Sequence, residues 1–472
     1  MDIKRRNIVI SLMVAMFLAA FEVTVVTTAM PVITKNLNGV NLMSWVFSAY
    51  LLTSSVSTPI YGKLSDIYGR KKMLNIGIII FIIGSSLCGF SKTMLQLIIF
   101  RAIQGLGAGS ILTITYTIIG DVFDLEERTK IQGWLGTVWG IASLVGPFLG
   151  GFLIDYLSWH WIFFINLPFG ILSIILLDRN LKEVIESKKP SIDYLGAVLL
   201  TTSIVFMLLG VFSKSTSSIL TCLLIVIICL IAFYFVEKRC ADPLVPFDIF
   251  TKTTVLINII SFLISGTLIG FEAYTSIYNQ NILSYSATIS GLIMAPMSLS
   301  WLLSSFVIAR LLNKHGEKLI IQISILILLL SSLLSILVKP ETPISLLILI
   351  ISIMGFGFGG VFTLSTIIVQ TAVDKRKRGV STSTNSLIRT LGQTITVSIF
   401  GGLINSKINT YFSNLGIEGV NSDNIYSSDA VTSQIKEAFF SGVHSVYLWL
   451  VLIFAVCLIL SFKIKNSLIK EN

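Results

Sequence analysis

The chain has 472 residues, of which 54% are apolar and only 12% are charged. Soluble domains have about a quarter charged residues, so this composition excludes a soluble globular protein. The net charge of +10 is spread over short loops between apolar runs, which argues against nucleic acid as a partner. Because about 20 apolar residues cross a bilayer, fourteen crossings would use roughly 280 residues and leave only short connections.

Fourteen apolar runs of membrane-spanning length follow one another along the chain. They cover residues 8–30, 44–62, 72–90, 94–118, 131–153, 161–178, 193–212, 218–236, 253–280, 287–310, 318–338, 344–372, 381–404 and 443–463. The first run follows Lys4-Arg5-Arg6 as in a signal peptide, but it is too long and Glu22 interrupts it. The sequence therefore predicts an all-α polytopic membrane protein whose first span is retained.

The distribution of basic residues predicts the orientation. With the N-terminus in the cytoplasm, 26 of the 34 Lys and Arg residues fall in cytoplasmic segments and six in external loops, while Arg101 and Arg389 lie within spans. The positive-inside rule then places both termini in the cytoplasm. One long connection, 405–442, is external; within it, the stretch from Ala430 to Phe440 allows a short amphipathic surface helix or a solvated loop.

An internal repeat predicts the domain organisation. The segment from Gly62 to Arg70 closes the second run, and the segment from Ala309 to Glu317 closes the tenth as a diverged copy. Repeated helix bundles are common in transporters. We therefore expect an N-terminal six-helix bundle at 1–180, an inserted two-helix segment with cytoplasmic linkers at 181–252, and a C-terminal six-helix bundle at 253–472 that includes the loop 405–442.

Two motifs combine glycine with charge. In the loop Gly62 to Lys72, Gly62 and Gly69 allow close backbone approach, Asp66 suits a helix N-terminus, and Arg70 offers a planar fork to a carboxylate. These four residues predict a conformational latch, whereas membrane anchoring alone would explain only the basic residues. In the fourth run, Arg101 begins the motif RAIQGLGAG. A guanidinium in hydrocarbon needs partners, although Arg101 is near enough to the outer end for snorkelling.

Two further motifs lie in the fifth and first runs. The fifth contains GIASLVGPFLGG, in which Gly140, Gly146 and Gly150 permit tight helix contact and Pro147 allows a bend. The first contains FEVTVVTTAMP, beginning at Phe21, and the sixth opens with WHWIFFINLP, beginning at Trp159.

Two carboxylates lie deep within spans: Glu22 in the first run and Glu272 in the ninth. An apolar surrounding favours a neutral carboxyl and an approaching cation favours a charged one, so protonation and cation binding exclude one another. That exclusion is the minimum required for antiport. The alternative for each Glu is a permanently protonated, hydrogen-bonded structural role. Four aromatic residues are candidates for an apolar substrate pocket, with ordinary packing as the alternative: Phe271, Tyr274, Tyr278 and Trp139.

These patterns resemble the major facilitator superfamily, in particular its fourteen-span drug:proton antiporter branch, over essentially the whole chain. The resemblance implies two six-helix bundles plus two inserted helices, and the motif around Pro147 implies export. Glu22 replaces the more usual Asp of that branch, and His160 stands where Arg is commoner. By this resemblance we assign proton coupling to Glu22 and Arg101, and substrate binding to Glu272 with its aromatic neighbours.

The sequence thus predicts a proton-coupled multidrug efflux antiporter, not an enzyme, in a bacterial cytoplasmic membrane. We expect amphipathic cationic or zwitterionic drug-like substrates, protons and membrane lipid as partners, a monomer, and no metal or cofactor other than the proton gradient. No G-x-x-x-x-G-K-[ST] motif for ATP occurs. The alternatives are an exporter of one native metabolite or lipid precursor, and a non-transporting receptor or scaffold, which buried charges disfavour.

Overall fold

The computed structural model describes residues 3–123, 125–181, 194–213, 215–240, 247–374, 377–417, 419–427 and 431–464. The central parts of the predicted cytoplasmic linkers, 182–193 and 241–246, lie outside these ranges. Every one of the fourteen predicted runs is helical. The helices are α1 Ile3–Asn36, α2 Met43–Tyr68, α3 Arg70–Gly89, α4 Met94–Val122, α5 Leu125–Tyr156, α6 Trp161–Asn180, α7 Tyr194–Phe212, α8 Thr216–Arg239, α9 Lys252–Ile282, α10 Ala287–Leu312, α11 Lys314–Ile336, α12 Ile344–Thr371, α13 Arg378–Asn414 and α14 Thr432–Ser461.

Within the described ranges, twelve of these helices are long and apolar enough to cross a membrane. The two others are α2, which contains eight Ser and Thr residues, and α7, in which the apolar stretch found among the described residues is Leu195–Met207. The all-helical membrane fold is therefore confirmed. The count of fourteen spans stays a prediction.

The last two helices correct the predicted external loop. α13 continues to Asn414 and α14 begins at Thr432, so the connection predicted at 405–442 is reduced to 415–431. Within the stretch from Ala430 to Phe440, residues from Thr432 onward are the first turns of α14 rather than a separate surface helix or a loop. At 1.5 Å per residue, the 37 residues of α13 exceed the roughly 30 Å hydrocarbon thickness, so its polar end extends beyond it.

The chain divides into two compact units. The first contains Met1–Val26, Trp45–Gly146 and Phe152–Leu244, and the second contains Thr27–Ser44, Pro147–Gly151 and Val245–Asn472. The C-terminal part of α1 and one short segment of α5 thus belong to the second unit. Within the first unit α7 packs along α8. The assignment of 181–252 as an insertion between two six-helix bundles stays a prediction.

Small residues hold α4 closely between α2 and α3 in the first unit. A Cβ atom added at Gly84 of α3 would lie 2.5 Å from the backbone nitrogen of Gln104, and one added at Gly107 would overlap the backbone at Phe81. On the other side of α4, a Cβ atom at Gly105 would overlap the carbonyl of Tyr50. Close backbone approach of this kind is how small residues pack membrane helices. It fixes the position of α4 against both neighbours.

In the second unit α9 packs along α13, and both helices run in the same direction. The Ser265 hydroxyl donates to the backbone carbonyl of Arg389 at 2.8 Å, and further along the Tyr274 hydroxyl donates to that of Val397 at 3.3 Å. α12 lies along α10 and α11, and α14 contacts α9, α11 and α13. These contacts enclose Phe358, Phe400 and other apolar side chains.

Candidate functional site

A buried ion pair occupies the middle of the first unit. The Arg101 Nη1 atom of α4 donates to the Glu22 Oε1 atom of α1 at 2.5 Å. The Glu22 side chain is 0% exposed and that of Arg101 is 1% exposed. The alternative of an Arg101 that snorkels to the surface is therefore wrong, because its guanidinium points to Glu22 rather than to the membrane boundary.

Neutral polar groups complete the surroundings of Glu22. The Asn166 Nδ2 atom of α6 donates to Glu22 Oε2 at 2.6 Å and to Ser85 Oγ at 2.9 Å. The Ser85 hydroxyl in turn donates to the carbonyl of Phe163 at 2.8 Å. Each carboxylate oxygen of Glu22 thus accepts a hydrogen bond from a different helix. A carboxylate that is removed from water is stable only if hydrogen bonds and an opposite charge replace its hydration.

Arg101 also has partners besides Glu22. Its Nη1 atom donates to Gln104 Oε1 at 2.7 Å, its Nε atom lies 3.4 Å from the carbonyl of Val46, and its Cζ atom lies 4.1 Å from the centre of the Tyr50 ring. All of these side chains are buried. An aromatic face stabilises a desolvated cation by a further cation–π interaction. The guanidinium is therefore held even when its bond to Glu22 changes.

The sequence indicated only part of this cluster. Gln104 lies three residues after Arg101, which places both on one face of a helix. Asn166 interrupts an apolar run, so an amide at that point was a signal that a polar partner lies nearby. The sequence did not indicate that Tyr50 contacts Arg101 or that Ser85 contacts Asn166, because these contacts depend on how α2 packs against α4 and how α3 packs against α6. In the described part of the chain, Gln104 Nε2 and Asn166 Oδ1 have no hydrogen-bond partner.

The glycine-rich motif of α5 packs tightly in both units. In the first unit, a Cβ atom added at Gly146 would overlap Thr24 Oγ1, two residues from Glu22, and the Thr24 hydroxyl donates to the carbonyl of Ala142 at 3.2 Å. In the second unit, a Cβ atom added at Gly291 of α10 would overlap the carbonyl of Pro147, so the two backbones are in close contact. Gly150 is buried and Gly140 is half-buried. The motif thus makes close contacts at successive levels of α5.

The predicted latch residues form a polar cluster at the junction of α2 and α3. Arg70 pairs with Asp66, its Nε atom donates to Asp121 Oδ2 at 2.9 Å, and its Nη1 atom donates to Ser65 Oγ at 2.8 Å. Gly69 has a φ of 99°, a conformation that side chains other than glycine rarely adopt. The structure therefore brings Asp66, Gly69 and Arg70 together, and the Ser65 hydroxyl donates to the carbonyl of Gly62 at 2.7 Å.

The diverged copy of this motif has the same backbone feature. Gly316 occupies the position that corresponds to Gly69 and also has a positive φ, of 74°. The next residue, Glu317, accepts a hydrogen bond at 3.1 Å from Thr371 at the end of α12, just as Arg70 reaches the end of α4. Each of the two segments thus contacts the end of a neighbouring helix, α4 in the first case and α12 in the second.

The aromatic residues near Glu272 do not share its surroundings. Every residue from Ile264 to Asn279 is buried except Glu272, which is partly exposed. Phe271, Tyr274 and Tyr278 are packed in the interior of the second unit; the Tyr278 hydroxyl, for example, donates to the carbonyl of Lys339 at 2.5 Å. Neighbouring helix positions point about 100° apart, so these rings and Glu272 face different directions. The structure does not bring them together as one pocket.

Two other predicted residues lie in the first unit. Trp139 is half-buried and packs against the apolar core. His160 stacks on Trp159 with ring centroids 3.8 Å apart, and burial lowers the pKa of its imidazole. In the ranges the structure describes, no three His, Cys, Asp or Glu side chains form a group that could hold a metal.

Comparisons with known proteins agree with this geometry. The sequence matches the Major Facilitator Superfamily over residues 12–397. It is 36% identical over 419 residues to "Multidrug resistance protein 3" of Bacillus subtilis (strain 168), covering 86% of this chain and 82% of that protein. It is 32% identical over 437 residues to "Multidrug efflux pump SdrM" of Staphylococcus aureus (strain N315), covering 92% and 96%.

The fold is similar to that of solved transporters. A bacterial homolog of the human lysosomal transporter Spinster matches with a TM-score of 0.73 and 13% identity, covering 98% of this chain and 97% of the other. The family match and these relatives indicate a multi-pass membrane transporter rather than an enzyme. The chain belongs to the Major Facilitator Superfamily, which confirms the resemblance found in the sequence.

Proposed function

We propose that the protein is a proton-coupled multidrug efflux antiporter of the bacterial cytoplasmic membrane. It exports amphipathic cationic or zwitterionic compounds, acts as a monomer, and crosses the membrane fourteen times with both termini in the cytoplasm. The names of its relatives, a multidrug resistance protein and a multidrug efflux pump, support multidrug export. The observation that supports proton coupling is the fully buried pair of Glu22 and Arg101, which joins α1 to α4.

The pair suggests how one proton changes the structure. When Glu22 is ionised, its charge is balanced by Arg101 and its second oxygen accepts from Asn166. Protonation removes the negative charge and leaves Arg101, among the described residues, with Gln104, the carbonyl of Val46 and the ring of Tyr50 as close partners. Breaking a buried pair costs about 3–5 kcal/mol, enough to shift a two-state equilibrium by roughly two to four orders of magnitude. Proton binding at Glu22 therefore favours another arrangement of α1 and α4.

The other motifs have supporting roles in this proposal. Because Gly146 has no side chain, α5 packs closely against Thr24 of α1, which is two residues from Glu22. A movement of α1 at Glu22 therefore also moves α5. Arg70, Asp66 and Asp121 hold the ends of α2, α3 and α4 together. These contacts form the conformational latch that opens and closes as the transporter changes state.

Export from inverted vesicles tests the proposal. A pH gradient, acidic inside, should drive an amphipathic cationic dye into vesicles that contain the wild-type protein. Glu22→Gln should abolish this transport, since the amide keeps the shape but cannot exchange a proton. Glu341→Gln, the same substitution at an exposed turn, is the matched control and should transport normally. Normal gradient-driven transport by Glu22→Gln would overturn the proton-coupling assignment.

Two further results separate the alternatives. A panel of chemically unrelated compounds should be transported by the wild-type protein; transport of only one would favour an exporter of a single native metabolite or lipid precursor. Absence of any gradient-driven transport would favour a receptor or scaffold.

A further inference from the structure

α13 has a polar face within its membrane-length stretch. Its partly or fully exposed polar residues recur every three to four positions, which places them on one side of the helix. They are Thr382, Ser383, Ser386, Arg389, Thr390 and Gln393. Polar side chains in membrane helices face a bundle interior or a water-filled cavity rather than lipid. We therefore expect this face of α13 to line the aqueous part of the transport pathway.

Arg389 is the charged residue of this face, and it has only neutral partners. Its Nη2 atom donates to the carbonyl of Phe362 at 3.0 Å and to Thr366 Oγ1 at 2.9 Å, and its Cζ atom lies 4.8 Å from the centre of the Phe362 ring. Among the residues with described positions, no carboxylate lies within 4.0 Å of it, and its Nε and Nη1 atoms donate to no acceptor.

This arrangement differs from that of Arg101, whose charge is balanced by Glu22. An arginine in a membrane span is costly, and such residues usually pair with an acid or act on a ligand. The planar fork of a guanidinium suits bidentate binding of a carboxylate. Because Arg389 is partly exposed and keeps unused donors, a carboxylate in the pathway can reach it.

Glu272 lies within reach of the same molecule. The Ser265 hydroxyl donates to the backbone carbonyl of Arg389, so these two residues lie at the same level of the packed helices. Glu272 is seven residues further along α9, or about 10 Å at 1.5 Å per residue. Glu272 is partly exposed and has no hydrogen-bond or ion-pair partner among the described residues. Because the side chains of Arg389 and Glu272 are both long, one drug-sized molecule can contact both charged groups.

We propose that Arg389 binds the carboxylate of zwitterionic substrates, with their cationic group directed toward Glu272. This inference rests on the proposed export function and assigns a substrate class to it: amphipathic compounds with a free carboxylate and a basic or cationic group. Arg389 then serves selectivity, whereas the pair of Glu22 and Arg101 serves proton coupling. Substrates without a carboxylate bind without using Arg389.

A pair of fluorescent dyes tests the assignment. Rhodamine 110 has a free carboxylate, and rhodamine 123 is its methyl ester and therefore only a cation. In inverted vesicles, Arg389→Gln should raise the KM for gradient-driven transport of rhodamine 110 about tenfold, which is the effect of losing one charge-assisted hydrogen bond. The KM for rhodamine 123 should stay within about twofold of the wild-type value. Arg389→Lys, which retains the charge, should show a smaller selective defect.

A control variant addresses a purely structural role. Thr366→Val removes one bond that ties Arg389 to α12 and should not change the ratio of the two KM values. Equal losses of both dyes in Arg389→Gln, or no loss of either, would overturn the inference while wild-type transport of rhodamine 123 still supports export. A wild-type protein that transports rhodamine 123 but not rhodamine 110 would also overturn it. Failure of the wild-type protein with both dyes would instead count against the proposed function.

Discussion

The coupling between Glu22 and Arg101 can be measured as a free energy of unfolding. Arg101→Gln leaves Glu22, which is 0% exposed, with Asn166 as its remaining close donor. Removing one partner of a buried pair costs about 3–5 kcal/mol. Glu22→Gln leaves the guanidinium with Gln104 and the ring of Tyr50, so its cost should lie at the lower end of that range.

The double variant Glu22→Gln/Arg101→Gln leaves neither charge unpaired. Replacing both members of a buried pair is often close to neutral, so the double variant should be more stable than either single variant. The coupling energy obtained from the cycle should therefore be at least about 2 kcal/mol in favour of the pair.

Buried thiols provide the assay. Cys88, Cys229 and Cys457 are free and buried, whereas Cys222 and Cys240 are partly exposed; once the exposed thiols are blocked, a thiol-reactive fluorophore reports exposure of the buried ones as the purified protein unfolds on heating in detergent. The expected order of unfolding midpoints is wild type and double variant highest, then Glu22→Gln, then Arg101→Gln. A double variant whose loss equals the sum of the two single losses would refute the energetic coupling. Gradient-driven transport by the stable double variant would refute the proton role.

Further substitutions test the two remaining motifs. Gly146→Ala places a Cβ atom against Thr24 Oγ1 and should reduce the rate of dye efflux at least fivefold, and adding Thr24→Ala should restore more than half of the lost rate; no rescue would show that the contact is not the cause. Arg70→Gln and Asp121→Asn should slow efflux to a similar extent, with no further loss when combined, while melting midpoints change little because exposed ion pairs contribute at most about 1 kcal/mol. Defects that multiply in the combined variant would contradict a shared latch.

The sequence predicted the helices well because hydrophobic runs bounded by charge are a local property of the chain. It also identified Glu22 and Arg101, since a charge within an apolar run has a strong physical reason to be there. Positions of the ends were less predictable for α13 and α14, because these helices continue as polar segments beyond their apolar runs. Composition alone did not distinguish such an extension from a loop.

Tertiary structure decided which of these residues meet. Asn166, Ser85 and Tyr50 come from three other helices, and their places around the ion pair depend on how these helices pack, with glycines allowing α2, α3 and α4 to approach closely.

Helix packing likewise decided which side chains are grouped in the second unit. The sequence grouped Glu272 with Phe271, Tyr274 and Tyr278 by proximity along the chain, whereas packing buried the three rings and left Glu272 partly exposed. It showed that Arg389 lies within a span but not that its described neighbours are neutral. Hydropathy along a chain determines which segments enter a membrane, but the charge balance at a buried site depends on side chains that distant helices bring together.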